Sequence, residues 1–250
     1  MNLRLERDGP IGRILIDRPE KRNAFNQEMW EHFPVLLKQA LIDRAIRVVV
    51  VQSATPGMFC AGADLSELMM HKDNAAWREG NQAAINRTQH ELARFAKPTI
   101  AFIDGDCVGG GCGIALACDM RVATPGSRLG ITPAKLGLVY PLHDTKLLVD
   151  LVGPGQAKKM LFTGELLSAE EALRVGLIEA IDISASGLAR QIAENSAHST
   201  HEIKGFVRRI LDGQADDDLE TKRIFAEAFT KPDFAEGTSA FAEKRKAEFR

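Results

Sequence analysis

The sequence predicts an α/β protein, a core of alternating strands and helices followed by a helical tail. Three observations carry this reading. Short β-branched runs, Ile11 to Ile16, Val48 to Val51 and Thr99 to Ile103, alternate with longer stretches of helical spacing. Two glycine-bearing turns, one around Gly62 and one at Gly109-Gly110-Gly111, each join a strand end to a helix start. From about residue 186 onward only helical periodicity remains.

The totals agree with a globular chain. Its 250 residues suffice to bury a sizeable core, as one large domain or one domain with a small appendage. With 45% hydrophobic and 26% charged residues the composition is ordinary for a soluble protein. A formal net charge of -2 gives no global reason to expect nucleic acid or a membrane surface as partner. No apolar run reaches the roughly 18 residues of a membrane span. The opening MNLRLERDGP is too densely charged for a secretory signal. Cys60, Cys107, Cys112 and Cys118 sit among small and apolar residues without CxxC spacing. Buried, reduced thiols in a cytoplasmic protein are therefore expected, with no metal site.

Along the chain, the strand at Ile11 to Ile16 ends at Arg18-Pro19. Asn26 is placed to cap a helix carrying Met29, Trp30, Phe33, Leu37 and Leu41, which Pro34 should kink or break. Val48 to Val51 reads as a strand buried on both faces. A loop from Ser53 to Gly62 leads into a polar helix through Gln89 and Ala93. The strand Thr99 to Ile103 enters the glycine triplet, a small-residue helix spans Cys112 to Cys118, and a strand follows near Met120 to Ala123. Beyond Pro133 the pattern is mostly helical. Pro154 suits a first helical turn, Ser168 and Glu171 form a capping-box pattern, and Gly176 marks that helix's end. Ile178 to Ile181 reads as a last short strand, and Asp216-Asp217-Asp218 suits a helix start.

The two turns look built for backbone chemistry. Phe59 to Leu65 and Asp104 to Cys112 each bring unpaired helix N-terminal N–H groups beside glycines that let a ligand approach. Two such donors aimed at one point form an oxyanion hole, worth roughly 3 kcal/mol per donor. The glycine triplet alone would equally serve close helix–strand packing, and it lacks the Lys-Ser/Thr end of a P-loop. The pair of turns is the specific signal.

At these residues the sequence resembles the crotonase (enoyl-CoA hydratase/isomerase) superfamily. The resemblance rests on Arg18 to Phe25, Phe59 to Leu65, Lys97 to Asp119, Thr163 to Leu177 and Gly237 to Phe249. It implies a spiral ββα core over residues 1–185 and a helical oligomerisation region over 186–250, assembled as a homotrimer or a dimer of trimers. The implied substrate is an acyl-CoA thioester, with coenzyme A entering as part of it and no separate cofactor. The N–H groups of Ala63 and Gly110 would bind the thioester oxygen. Ala24, Ala61, Asp64 and Leu65 would line the adenine and pantetheine path, and Arg22, beside Lys21, would face the phosphates. Phe241 and Lys244 would reach CoA bound mainly by an adjoining subunit.

The catalytic carboxylates are where this chain departs from the pattern. Hydratases of the family use two glutamates, one taking a proton while the other orients water. Their positions fall on Gly113 and Pro133 here, and neither residue transfers a proton. Thr132 to Tyr140 resembles the matching stretch of methylmalonyl-CoA decarboxylases, which carry a histidine where this chain has Ala63. Loss of CO2 makes the enolate without a base, and Tyr140 would orient the carboxylate or return a proton. Pro133 and Leu136 are expected along the acyl path. Asp144 is a second acid/base candidate, although a helix cap before Thr145 is its commoner role, and adjacent His143 need not act with it. Asp106, facing the acyl tail or bonding loop amides, and the pair Glu67 and His71 complete the candidates. Three readings stay open: a hydratase/isomerase with a shifted acid/base set, a decarboxylase of a malonyl-type CoA ester, and a non-catalytic CoA-ester binding protein.

Overall fold

A computed structural model describes residues 2–249 of the chain. It opens with a hairpin, β1 (Leu3–Asp8) and β2 (Ile11–Ile16), joined at Gly9-Pro10. The sequence reading began the sheet only at Ile11. β1 is an edge strand whose outward Arg4 and Glu6 mask its alternation. A short 3-10 helix, Pro19–Lys21, leads to α1 (Gln27–Ile42), where Asn26 accepts from the Met29 N–H as expected.

α1 runs on through Pro34, so the broken first turn that the proline leads one to expect does not occur. A proline removes the N–H that would have bonded the carbonyl four residues earlier, here Trp30. The Thr88 hydroxyl takes its place and donates to the Trp30 carbonyl at 2.5 Å, deep in the core. The repair is made from a neighbouring helix.

Three strand–strand–helix units follow. The first is β3 (Val48–Ser53), β4 (Met58–Cys60) and a helical stretch, α2 (Leu65–Met70) with α3 (Ala75–Ala93). The second is β5 (Thr99–Ile103), β6 (Asp106–Val108) and α4 (Gly110–Ala117). The third is β7 (Met120–Ala123), β8 (Arg128–Gly130), a 3-10 turn Pro133–Leu136 and α5 (Leu142–Thr163). The first strand of each unit joins a six-stranded sheet, ordered β1-β2-β3-β5-β7-β10. The second strand of each joins a four-stranded sheet, ordered β4-β6-β8-β9. Pairing is parallel throughout except at β1–β2 and β8–β9. This is a ββα spiral. β4 falls within the stretch expected as a loop, Ser53 to Gly62, with a strand end only near Phe59, and β6 within the glycine-bearing turn; at three residues each they carry no periodicity to detect.

Within α5, Gly153 adopts φ 73° and ψ 165°, so Pro154 opens a new helical segment as its sequence position implied. β9 (Leu166–Ser168) is followed by α6 (Ala169–Arg174), which Ser168 and Glu171 cap reciprocally, and by β10 (Ala180–Ile181). The rest is helical: α7 (Ser186–Ala193), α8 (Ala197–Leu211), α9 (Leu219–Ala228) and α10 (Pro232–Glu243). Ala185, Ala189 and Ala193 seat α7 on Val48, Val50, Ile100 and Val122 of the large sheet. Asp218 caps α9, accepting from the Thr221 N–H. Lys204 ties α8 to the core through Asp119 Oδ2 at 2.7 Å and the Lys97 carbonyl at 3.0 Å.

The main core lies between the sheets and α1, α3, α4 and α5, with Trp30, Phe33, Phe59 and Ile114 among its buried residues. All four cysteines are reduced and buried, and desolvation pushes the Cys60 thiol up to about 12. Among the described residues no helix is long and apolar enough to cross a membrane.

Candidate active site

The short sheet delivers the site. Its parallel strands β4, β6 and β8 end at the segments carrying Ala63, Gly110 and Pro133 respectively. Strand ends of this polarity are where α/β folds gather ligands.

The first two turns touch. An added Cβ on Gly62 (φ 104°) would lie 2.9 Å from the Val108 carbonyl oxygen and 3.3 Å from the Gly110 nitrogen. Only glycine permits this approach and this φ. A Cβ on Gly110 would lie 3.5 Å from the Ala63 nitrogen. Two backbone N–H groups thus stand side by side. Ala63 is held by a bridge to Phe25, in which the Phe25 N–H donates to the Gly62 carbonyl and the Asp64 N–H to the Phe25 carbonyl, both at 2.8 Å. That pattern leaves the Ala63 N–H without a protein acceptor among the described residues. Gly110 opens α4, so its N–H is free for the same reason as at any helix start.

Asp64 fixes this corner. Its carboxylate accepts from the Ser66 and Glu67 N–H groups and pairs with Arg18 at 2.8 Å, while Arg18 also donates to the Ala24 carbonyl. Burial alone would raise its pKa, but Ser66, Arg18 and the Glu67 N–H outweigh that and bring it down to about 2. Ala24 is buried beside it, and the Ala61 N–H donates to the Arg22 carbonyl. Leu65 is half exposed at the start of α2.

A cavity of about 740 Å³ opens between α3 and the segment entering α5. Asn86, Arg87 and His90 form one wall, and Val139, Tyr140 and His143 the other. The Tyr140 hydroxyl donates to the Gly109 carbonyl at 3.2 Å, which joins the cavity wall to the N–H pair. Burial, and then the neighbouring Asp144, raise the Tyr140 pKa above its ordinary value.

The space beside Gly113 is filled from other elements. A Cβ there would lie 2.2 Å from Gln89 Nε2, 3.0 Å from the Tyr140 oxygen and 3.3 Å from Asp144 Oδ2. Asp144 is 1% exposed, and desolvation raises its carboxyl to about 7, with Gln89 acting weakly the other way. It does not cap α5: the helix begins at Leu142 after Pro141, which puts Asp144 inside the first turn, facing α4. It also contacts its neighbour in the chain. Its Oδ1 stands 3.3 Å from His143 Nδ1.

Other candidates fall outside this cluster. Asp106 forms a two-point pair with Arg128 at 2.8 Å and also receives Arg22 at 3.1 Å, so it faces neither an acyl tail nor loop amides. Glu67 accepts from the Gln27 N–H at the start of α1, and His71 stacks on Trp77, so these two are not a pair. Pro133 and the half-exposed Leu136 form the 3-10 turn before the cavity wall. Phe241 and Lys244 lie at the end of α10, bonded to no other candidate within this chain. Gln89 was not foreseen. Only its place on the buried face of a polar helix, with Asn81 and Thr88, could have signalled it.

Paired free amides at two strand–glycine–helix turns, on a ββα spiral, define the crotonase fold class. The family model described as enoyl-CoA hydratase/isomerase matches residues 6–250. The chain is 32% identical to a short-chain-enoyl-CoA hydratase of Clostridium acetobutylicum, over 99% of this chain and 97% of that one. It superposes on a structure from Hyphomonas neptunium, described as of the enoyl-CoA hydratase/isomerase family, with a TM-score of 0.96. That match has 36% identity and covers 100% of this chain and 98% of the other. An enoyl-CoA hydratase from Bacillus anthracis matches with a TM-score of 0.92 and 28% identity, over 100% and 99% of the two chains. The chain belongs to the enoyl-CoA hydratase/isomerase family, within the crotonase superfamily.

Proposed function

We propose that the protein binds an acyl-CoA thioester, holds its carbonyl oxygen between the Ala63 and Gly110 N–H groups, and carries the acyl group through an enolate. The observation that supports this reading is the pair of adjacent, unclaimed amides at Ala63 and Gly110. Such donors stabilise charge that develops on oxygen and need no reorganisation as it develops. Arg22, Ala24, Ala61, Asp64 and Leu65 border the approach to that pair. In the same proposal residues 1–185 carry the site, and residues 186–250 form the region through which copies assemble, Phe241 and Lys244 completing a neighbour's CoA site.

The reaction we favour is proton transfer, moving a C=C bond along the acyl chain or adding water across it. A carboxyl raised to about 7 and a histidine stand in the first turn of α5, beside the cavity. Decarboxylation of a malonyl-type ester is the second reading, favoured by Gly113 and Pro133 standing at the positions of the family's glutamates.

The test offers crotonyl-CoA, a 3-enoyl-CoA and methylmalonyl-CoA, with hydration, bond migration and CO2 release followed by mass spectrometry. Gly110→Pro, which deletes one donor, is expected to lower turnover by roughly 10²- to 10³-fold. Undiminished activity in that variant overturns the oxyanion assignment. Tight binding of all three esters without turnover marks a binding protein instead.

A further inference from the structure

We infer that His143 and Asp144 form an acid/base dyad in which His143 exchanges the proton with the acyl group and Asp144 holds its ring. The inference rests on the enolate reading above and names the group that reading leaves open.

The geometry separates the two roles. Asp144 is closed off from the cavity by its burial, so it cannot meet a substrate directly. His143 lines the cavity, and its side chain keeps 26% of its exposure. Its Nδ1 faces Asp144 Oδ1 at 3.3 Å, which leaves Nε2 on the other edge of the ring for the ligand. A buried carboxylate that fixes one ring nitrogen and frees the other is the arrangement that sets a catalytic histidine's tautomer and orientation. The carboxylate is itself placed from α4 and α3: Oδ2 stands against Gly113, and the buried Gln89 amide fills the same space. A side chain on Gly113 would displace this support. The glycine is therefore part of the dyad's housing.

The charges around the ring favour its neutral form. Arg94 and His90 approach from α3, Lys146 from α5, and Arg208 with the opposing Asp212 from α8. Burial and the cations lower the His143 pKa, while burial raises that of Asp144 to about 7. Both shifts favour the uncharged forms of the two groups, a neutral imidazole able to accept a proton beside a carboxyl that burial keeps from ionising readily.

On a 3-enoyl thioester the step balances without a further reactant. His143 Nε2 takes the proton from the carbon next to the carbonyl. The electron pair of that C–H bond flows to the thioester oxygen, between the Ala63 and Gly110 amides. The imidazolium then returns the proton to the far carbon of the former C=C bond, and the double bond is left conjugated with the carbonyl.

The experiment measures exchange of α-protons into deuterated water and conversion of a 3-enoyl-CoA, with kcat and KM resolved over pH. His143→Gln is expected to lower kcat by about 10²- to 10⁴-fold with KM little changed. Added imidazole should restore part of the activity of His143→Ala. Asp144→Asn should lower kcat and displace the pH–rate profile, a change that a packing role alone would not make. Its melting curve checks that the variant is folded, and His143, partly exposed, tolerates replacement. An active wild-type protein whose His143 variants exchange as fast overturns the dyad and leaves the enolate intact. CO2 release from methylmalonyl-CoA that is indifferent to His143 also overturns it, in favour of base-free decarboxylation. A wild-type protein that neither exchanges protons nor converts any ester overturns the enolate reading and the dyad together.

Discussion

Taking a carboxylate out of water without a cation beside it raises its pKa, and Asp144 shows the consequence at about 7. In the unfolded chain the group ionises near 4, and in the folded protein near 7. It is neutral in both states at low pH, so its burial costs little there. Between these values the folded state must keep the proton, and above about 7 it must bury the charge. Asp144→Asn should therefore leave the melting temperature almost unchanged at pH 4 and raise it at pH 8. The ceiling on the gain is ~4 kcal/mol, at 1.36 kcal/mol per pKa unit. Thermal melts at the two pH values check this, and equal shifts at both would contradict it. Asp64 is the opposite case: held down to about 2, its contribution persists through neutral pH and is lost only as pH falls through that value.

Helix α1 survives its proline because α3 lends it a hydrogen-bond donor. Thr88→Val keeps the shape of the side chain but orphans the Trp30 carbonyl in the core, which should cost about 1–3 kcal/mol in denaturant melts. In a Pro34→Ala background the helix supplies its own N–H, and the same Thr88→Val change should then cost much less. Equal costs in both backgrounds would mean that Thr88 does not repair the helix. This bond also shows where sequence reading stopped. Residues that act through local chemistry were legible: the Asn26 cap, the Ser168 and Glu171 box, the Pro154 helix start, and the two glycine turns that bring Ala63 and Gly110 together. What depended on distant segments was not. Thr88 reaches back 58 residues, and Asp144 meets Gly113 only once α4 and α5 are packed. β1 is an intermediate case: Asp8-Gly9 is a hairpin signal that its charged outer face obscured.

At the scale of the molecule, the chain exposes more than a compact monomer should. Its accessible surface is 13021 Å², against about 10,900 Å² expected for a 27.4 kDa globule. The tail contributes to the exposed apolar surface: Leu219, Phe225, Phe229 and Phe241 are each more than half exposed. Sedimentation should accordingly find a trimer or its multiple, and Leu219→Asp with Phe225→Asp should shift it toward monomer. A monomeric wild-type protein would remove the assembly proposal. The two sheets meanwhile divide labour. Val49, Val50, Val51, Ala101 and Ile103 of the large sheet are fully buried and hold the fold, while β4, β6 and β8 each spend three residues and then hand the chain to the site. Each spiral unit thus offers one corner to the site, and the first two are packed against each other through Gly62 and Gly110. Gly110 keeps an amide donor at the second corner, and Pro133 has surrendered its own at the third. The space beside Gly113 is accordingly occupied by side chains borrowed from α3 and from the segment entering α5, so what chemistry this corner can do is decided by residues far from it in the sequence.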